Sequence, residues 1–172
     1  MVGDMKIKIW MSALALSLFV SLAVQTQIAS ATGMSLPELL ALAETDNTMA
    51  QKALGKRYAL GSEDVTKDLS QAVFWYTKAA DKGDAEAQQY LGYAYGKGLG
   101  VPQDWVQAYM WFSLIGKASR KKITPQEKEQ AEQNRKFVET KMTPKQIEEA
   151  QNMANEWLEK HKLPGQMATI QD

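Results

Sequence analysis

The 172-residue chain is 45% hydrophobic and 23% charged, which gives it room for about one folded domain. Lys+Arg and Asp+Glu number 20 each, so no overall charge directs it to nucleic acid or to an anionic membrane surface. Cysteine is absent, which removes disulfides, zinc–thiolate sites and thiol nucleophiles together.

The first element reads as a secretory signal and not as part of the fold. Met5-Lys6-Ile7-Lys8 gives a basic start, with Met5 a candidate initiator. An apolar run from Ile9 to Val24 follows, then Gln25-Thr26-Gln27 and the small-residue box Ala29-Ser30-Ala31. The run is 16 residues long and interrupted by Ser12, Ser17 and Ser21, short of the ~20 that span a bilayer. Residues 1–31 are therefore predicted to be a signal peptide cleaved after Ala31, with an uncleaved anchor as the alternative. No cysteine stands at the junction to carry a lipid. Cleavage leaves a nearly neutral chain with no stable membrane insertion, and one that must hold together by packing alone.

Residues 32–46 are expected to form a capping half-repeat. LPELLALAETD, residues 36–46, aligns with the second helix of the unit that follows, with Ser35 as its N-cap.

The next two units, 47–83 and 84–120, repeat each other. Ala50, Leu54, Gly55, Tyr58 and Gly61 recur 37 residues later as Ala87, Leu91, Gly92, Tyr95 and Gly98. Val65, Asp68, Gln71, Ala72 and Trp75 recur 36 residues later as Val101, Asp104, Gln107, Ala108 and Trp111. Each unit reads as helix, glycine turn, helix. Gly61 and Gly98 suit helix C-caps, while Asp68 and Asp104 suit N-caps, with Gln71 and Gln107 placed to close capping boxes. Gly55 and Gly92 lie mid-helix, where each costs about 1 kcal/mol relative to Ala, so the spacing predicts a helix crossing too close for a side chain.

These residues carry a resemblance. The pattern A-x-x-x-L-G-x-x-Y-x-x-G, then G-V-x-x-D, A-x-x-W-Y/F, K-A-A and G-D is similar to the Sel-one-like repeat, a branch of the tetratricopeptide superfamily. It departs at Ser62-Glu63-Asp64-Val65 and at Leu114-Ile115-Gly116, where the first unit has Lys78-Ala79-Ala80. The resemblance implies an all-α helical solenoid used as a scaffold or adaptor, in many cases exported from bacteria.

Residues 121–162 are expected to supply C-terminal capping helices, and residues 163–172 a flexible tail. Thr124-Pro125-Gln126-Glu127 and Thr143-Pro144-Lys145-Gln146 are capping boxes with Pro at the first helical position. The first of these helices, from Pro125 to about Lys141, is highly charged. The second, from Pro144 to about His161, carries Ile147, Ala150, Ala154, Trp157 and Leu158 on one side.

Catalytic chemistry finds no footing. The single histidine, His161, lies between Lys160 and Lys162 at a predicted helix end, where it favours the helix dipole. Gly96-Lys97-Gly98-Leu99-Gly100 lacks the Walker spacing and reads as an inter-helix turn. Glu127, Glu129, Glu132, Glu148 and Glu149 share helices with Lys and Arg, as a solvated face would.

The expected fold is an all-α, right-handed helical-repeat solenoid of antiparallel helix pairs, about seven helices in all. Its first helices line a concave groove. No catalytic residue, cofactor or metal site is predicted. The candidate partner-binding residues are Lys52, Lys56, Arg57, Gln89, Tyr90 and Tyr93, which vary between the units while the frame around them repeats. The expected partner is another protein or peptide segment in the bacterial envelope, with no nucleic acid. A cell-wall or glycan-binding module is the alternative, and an exported hydrolase a third.

Overall fold

The helix starts are set by short acceptor side chains. Asn47, Asp68, Asp84 and Asp104 each hold extended backbone and accept from an amide two or three residues on, which satisfies donors that the first helical turn leaves open. In the computed structural model, which describes residues 33–118 and 122–161, these starts belong to a chain of α-helices. They are α1 (Leu36–Glu44), α2 (Thr48–Leu60), α3 (Leu69–Ala80), α4 (Ala85–Lys97), α5 (Trp105–Leu114), α6 (Pro125–Glu139) and α7 (Pro144–Lys160). The described residues are all-helical, and the repeats form a helical-repeat solenoid. The expected signal segment 1–31 with its cleavage point, and the expected tail at 163–172, lie outside the described residues.

Antiparallel pairs α2–α3 and α4–α5 make the two repeats, and α1 packs on α2 as the half-repeat. Their common core is small and aliphatic at the repeated positions: Ala50, Leu54, Ala72, Ala87, Leu91 and Ala108 are fully buried. Asp46 takes φ 65° where the full repeat has Gly83 at φ 79°, so the half-repeat turns into α2 by the same left-handed step. Lys82 Nζ closes that corner by donating to the Asp46 carbonyl at 2.7 Å.

Gly55 and Gly92 make the close approach that their spacing implies. A Cβ on Gly55 would fall 2.8 Å from the Tyr76 ring, and one on Gly92 only 2.5 Å from the Phe112 ring. Each first helix therefore lies flat against an aromatic ring of its own partner helix.

One expectation fails in its detail. Asp68 and Asp104 do cap α3 and α5, but Gln71 and Gln107 do not complete capping boxes. The backbone N–H that such a box would satisfy is already used: Asp68 donates to the Tyr58 carbonyl and Asp104 to the Tyr95 carbonyl, both at 2.9 Å. The boxes at Thr124–Glu127 and Thr143–Gln146 do close. The segment 96–100 is a turn, as expected: Gly98 ends α4 in the left-handed region, and the Gly100 carbonyl accepts from Ser70 Oγ at 3.1 Å.

The two C-terminal helices do not form a third hairpin. Both pack on α5 and diverge from each other. α6 buries only Ala131 and Val138, while α7 buries Ala150 and Ala154 and lays Trp157 against the core. His161 does more than face a helix end. Its ring stacks on Trp157 at 4.2 Å, and Trp157 Nε1 donates to Asp81 Oδ1 at 3.3 Å, tying α7 to the end of α3.

Candidate functional site

The first helices α2 and α4 carry the six candidate residues, and the register of 37 pairs Lys52 with Gln89 and Lys56 with Tyr93. Four of the six are engaged inside the chain, and three of these hold the repeat frame. Lys52 Nζ lies 3.2 Å from Asp84 and 3.0 Å from Glu86, a bridge from the first repeat to the second. Burial alone would lower its pKa, but the hydrogen bonds and charges of Glu86 and Asp84 outweigh it and hold the group above its ordinary value. Arg57 pairs with Asp64 at 3.1 Å and so holds the loop that follows its own helix. Tyr90 stacks on Tyr76 with ring centroids 4.0 Å apart, its hydroxyl buried without a hydrogen-bond partner. Burial pushes the Tyr90 hydroxyl pKa up, as it does that of Tyr76. These three side chains hold the frame together.

The other three face outward. Lys56 is exposed, Gln89 is partly exposed, and Tyr93 is 36% exposed. Tyr93 also meets a neighbour that its sequence position gives no hint of. Its ring lies edge-on to Phe112 at 5.4 Å, and its hydroxyl accepts from Asn134 Nδ2 of α6 at 2.9 Å. α6 thus stands beside α4 and extends the first-helix face.

Between α4 and α6 runs a narrow crevice of about 80 Å³, lined by Tyr93, Trp105, Phe112, Asn134, Phe137 and Val138, with Lys97 at its rim. Phe137 is 59% exposed here, and Lys141 Nζ sits 5.4 Å from its ring centroid. The arrangement offers an aromatic cleft with ammonium groups beside it, fit to take an apolar side chain from a segment that also carries acidic residues. Phe137 and Asn134 were not among the sequence candidates. The available signal was the position of Phe137, which stands off the Ala131–Val138 stripe that α6 buries.

The tryptophans at the repeated positions are spent on the core. Trp75 and Trp111 are 4% and 6% exposed, so neither can stack on a sugar. Among the described residues no cluster of three or more His, Asp or Glu side chains could hold a metal ion, and no helix is long and apolar enough to cross a membrane.

A family model described as Sel1 repeat matches residues 48–84 and 85–118, which are the two structural repeats. The chain carries two Sel1 repeats. The Sel1 repeats bring similarity to several known proteins. A solved structure, a protective antigen of uropathogenic Escherichia coli displaying an SLR fold, is 34% identical with a TM-score of 0.61, covering 72% of this chain and 25% of that one. A Sel1 repeat protein from Oxalobacter formigenes is 22% identical with a TM-score of 0.45, covering 72% of this chain and 61% of that one. Chitin synthase regulatory factor 3 of Schizosaccharomyces pombe is 36% identical over 90 residues, 52% of this chain. The chain spans only 10% of that curated relative's length.

Proposed function

We propose that this Sel1-repeat protein is a non-enzymatic adaptor or regulator, exported to the bacterial envelope, that captures a segment of another protein on its first-helix face. The observation that carries the reading is the exposed aromatic crevice at Tyr93 and Phe137, since large apolar side chains left open beside cations suit a protein partner. Sel1 repeats generally serve protein–protein interaction, and the curated relative is named as a regulatory factor. The exported location rests on the basic, apolar and small-residue order of residues 1–31.

The test is a pull-down from the native envelope fraction with the tagged full-length chain, expressed in its own host. Wild type is expected to capture a partner. A variant carrying Lys56→Glu, Tyr93→Ser and Phe137→Ser is expected to lose it while keeping its helical signal and melting temperature within a few degrees. Mass spectrometry of the recovered chain is expected to show a new N-terminus at Thr32. Partner capture by the folded triple variant would overturn the site, and an intact N-terminus would overturn the cleavage.

A further inference from the structure

The divergence of α6 and α7 opens a second depression, on the face of α6 next to the crevice. It is a half-open trough of about 460 Å³, within the range of roughly 300–1,000 Å³ typical of small-molecule sites. Its floor is α5, chiefly Tyr109, Phe112 and Ser113, and its walls are one face of α6 and one face of α7. Nothing in the protein-binding reading uses it.

The polar groups that meet there are overwhelmingly donors. Tyr109 is 2% exposed, yet its hydroxyl reaches the trough, where it accepts from Arg135 Nη1 at 2.9 Å and from Gln151 Nε2 at 3.4 Å. A phenol oxygen that accepts twice has its own hydrogen left to give. Ser113 Oγ lies in the same trough, buried without a hydrogen-bond partner. Lys128 of α6 and Lys117, just past the end of α5, also line it. Glu132 is the one carboxylate of the lining, and Lys136 holds it at 3.2 Å. The hydrogen bond and charge of Lys136 keep that carboxyl below its ordinary pKa, so it stays a paired anion and does not accept protons from the trough.

Arg135 is well placed to be the anchor. Its guanidinium is held against the Tyr109 ring at 5.5 Å, while its carboxylate neighbour Glu139 is 3.8 Å away, at the limit of an ion pair. A planar guanidinium fixed on an aromatic face keeps further N–H groups for a planar oxyanion. Lys128 and Arg135 face one lining carboxylate that Lys136 already pairs, and the floor supplies neutral donors at the depth where such a group would rest.

We propose that the trough between α6 and α7 binds carboxylate groups, with Arg135 and Lys128 as charge partners and Tyr109 and Ser113 as donors from below. Two sources share this chemistry: a free small polycarboxylate, and the acidic side chains of a peptide. The trough shares the Phe112 ring with the crevice but none of its polar groups, so this site and the protein-binding face can fail separately.

The test is calorimetric titration of the full-length chain at low ionic strength with two probes, citrate and a blocked hexaglutamate peptide. Saturable binding of citrate identifies the free acid as the source. Saturation by the peptide alone identifies a peptide segment. Either should weaken at least about tenfold in Lys128→Gln and in Arg135→Gln, the loss expected of one charge-assisted hydrogen bond. Affinity should rise in Glu132→Gln, which removes the like charge, an effect that a merely structural role would not produce. Phe137→Ser should leave it unchanged. Arg135→Gln also loses the Tyr109 contact, so Lys128→Gln is the variant that separates binding from folding. Heat from neither probe, or binding that Lys128→Gln leaves intact, would overturn the proposal.

Discussion

The edge of the Phe112 ring lies so close to the Cα of Gly92 that a methyl group there would sit 2.5 Å from ring carbon Cε1. Tyr76 stands over Gly55 in the same way, at 2.8 Å. The pairing explains why two helices accept a residue that weakens them. What the helix loses in propensity, about 1 kcal/mol per glycine, the packed ring more than returns by area buried.

Gly92→Ala is therefore expected to destabilise the fold, even though alanine favours the helix. Overpacking of this kind costs about 1–3 kcal/mol, against a propensity gain of about 1 kcal/mol. Adding Phe112→Leu to the same chain should recover part of the loss, as a coupled pair does. Urea denaturation of the two single variants and the double completes the cycle. Strict additivity would mean that the ring is not what excludes the methyl group.

Asp68 and Gln71 should separate sharply on mutation. Asp68 accepts from the amides of both Ser70 and Gln71, so Asp68→Ala is expected to cost about 1 kcal/mol. Gln71 is exposed and closes no box, so Gln71→Ala should lie within about 0.5 kcal/mol of wild type. Glu127→Ala, which opens a box that does close, provides the comparison. Equal losses at Asp68 and Gln71 would show that the box forms after all.

The Lys52 bridge should fade in alkali. Its folded pKa is raised above the ordinary 10.5, so the charged form is favoured by folding. The stabilisation is complete below the unfolded value and is lost as pH rises through the higher folded one. For a side chain 28% exposed the effect is about 1 kcal/mol or less. The difference in stability between wild type and Lys52→Met should be constant from pH 7 to 9 and shrink above about pH 10.5. A gap that persists at pH 11.5 would assign it to packing of the lysine stem.

Much of the architecture was legible because packing repeats. Leu54 and Leu91, or Ala50 and Ala87, are buried in matched places, and only a narrow choice of side chain fits there. The same register also shows Gln51 and Gln88, fully buried, each donating to a carbonyl at the end of the preceding helix, Ala43 and Ala80. Their identity at a spacing of 37 was a readable signal that polarity concealed.

The site was less legible. Variation between repeats marked Lys56 and Tyr93, but it marked Lys52, Arg57 and Tyr90 equally. Whether a varying side chain faces water or a neighbouring repeat depends on partners 7 to 34 residues away, such as Asp64 for Arg57 and Glu86 for Lys52. The contribution of α6 could not be aligned at all, because no repeat register extends to it.

Arrays of helix pairs lengthen by offering the next pair the open flank of the last helix. In this protein that flank of α5 is already divided, with α6 on one part and α7 on another. A third repeat spliced in behind Ala118 would find no vacant seat without displacing both. The same occupation covers the flank of α5 on which a further helix pair would stack.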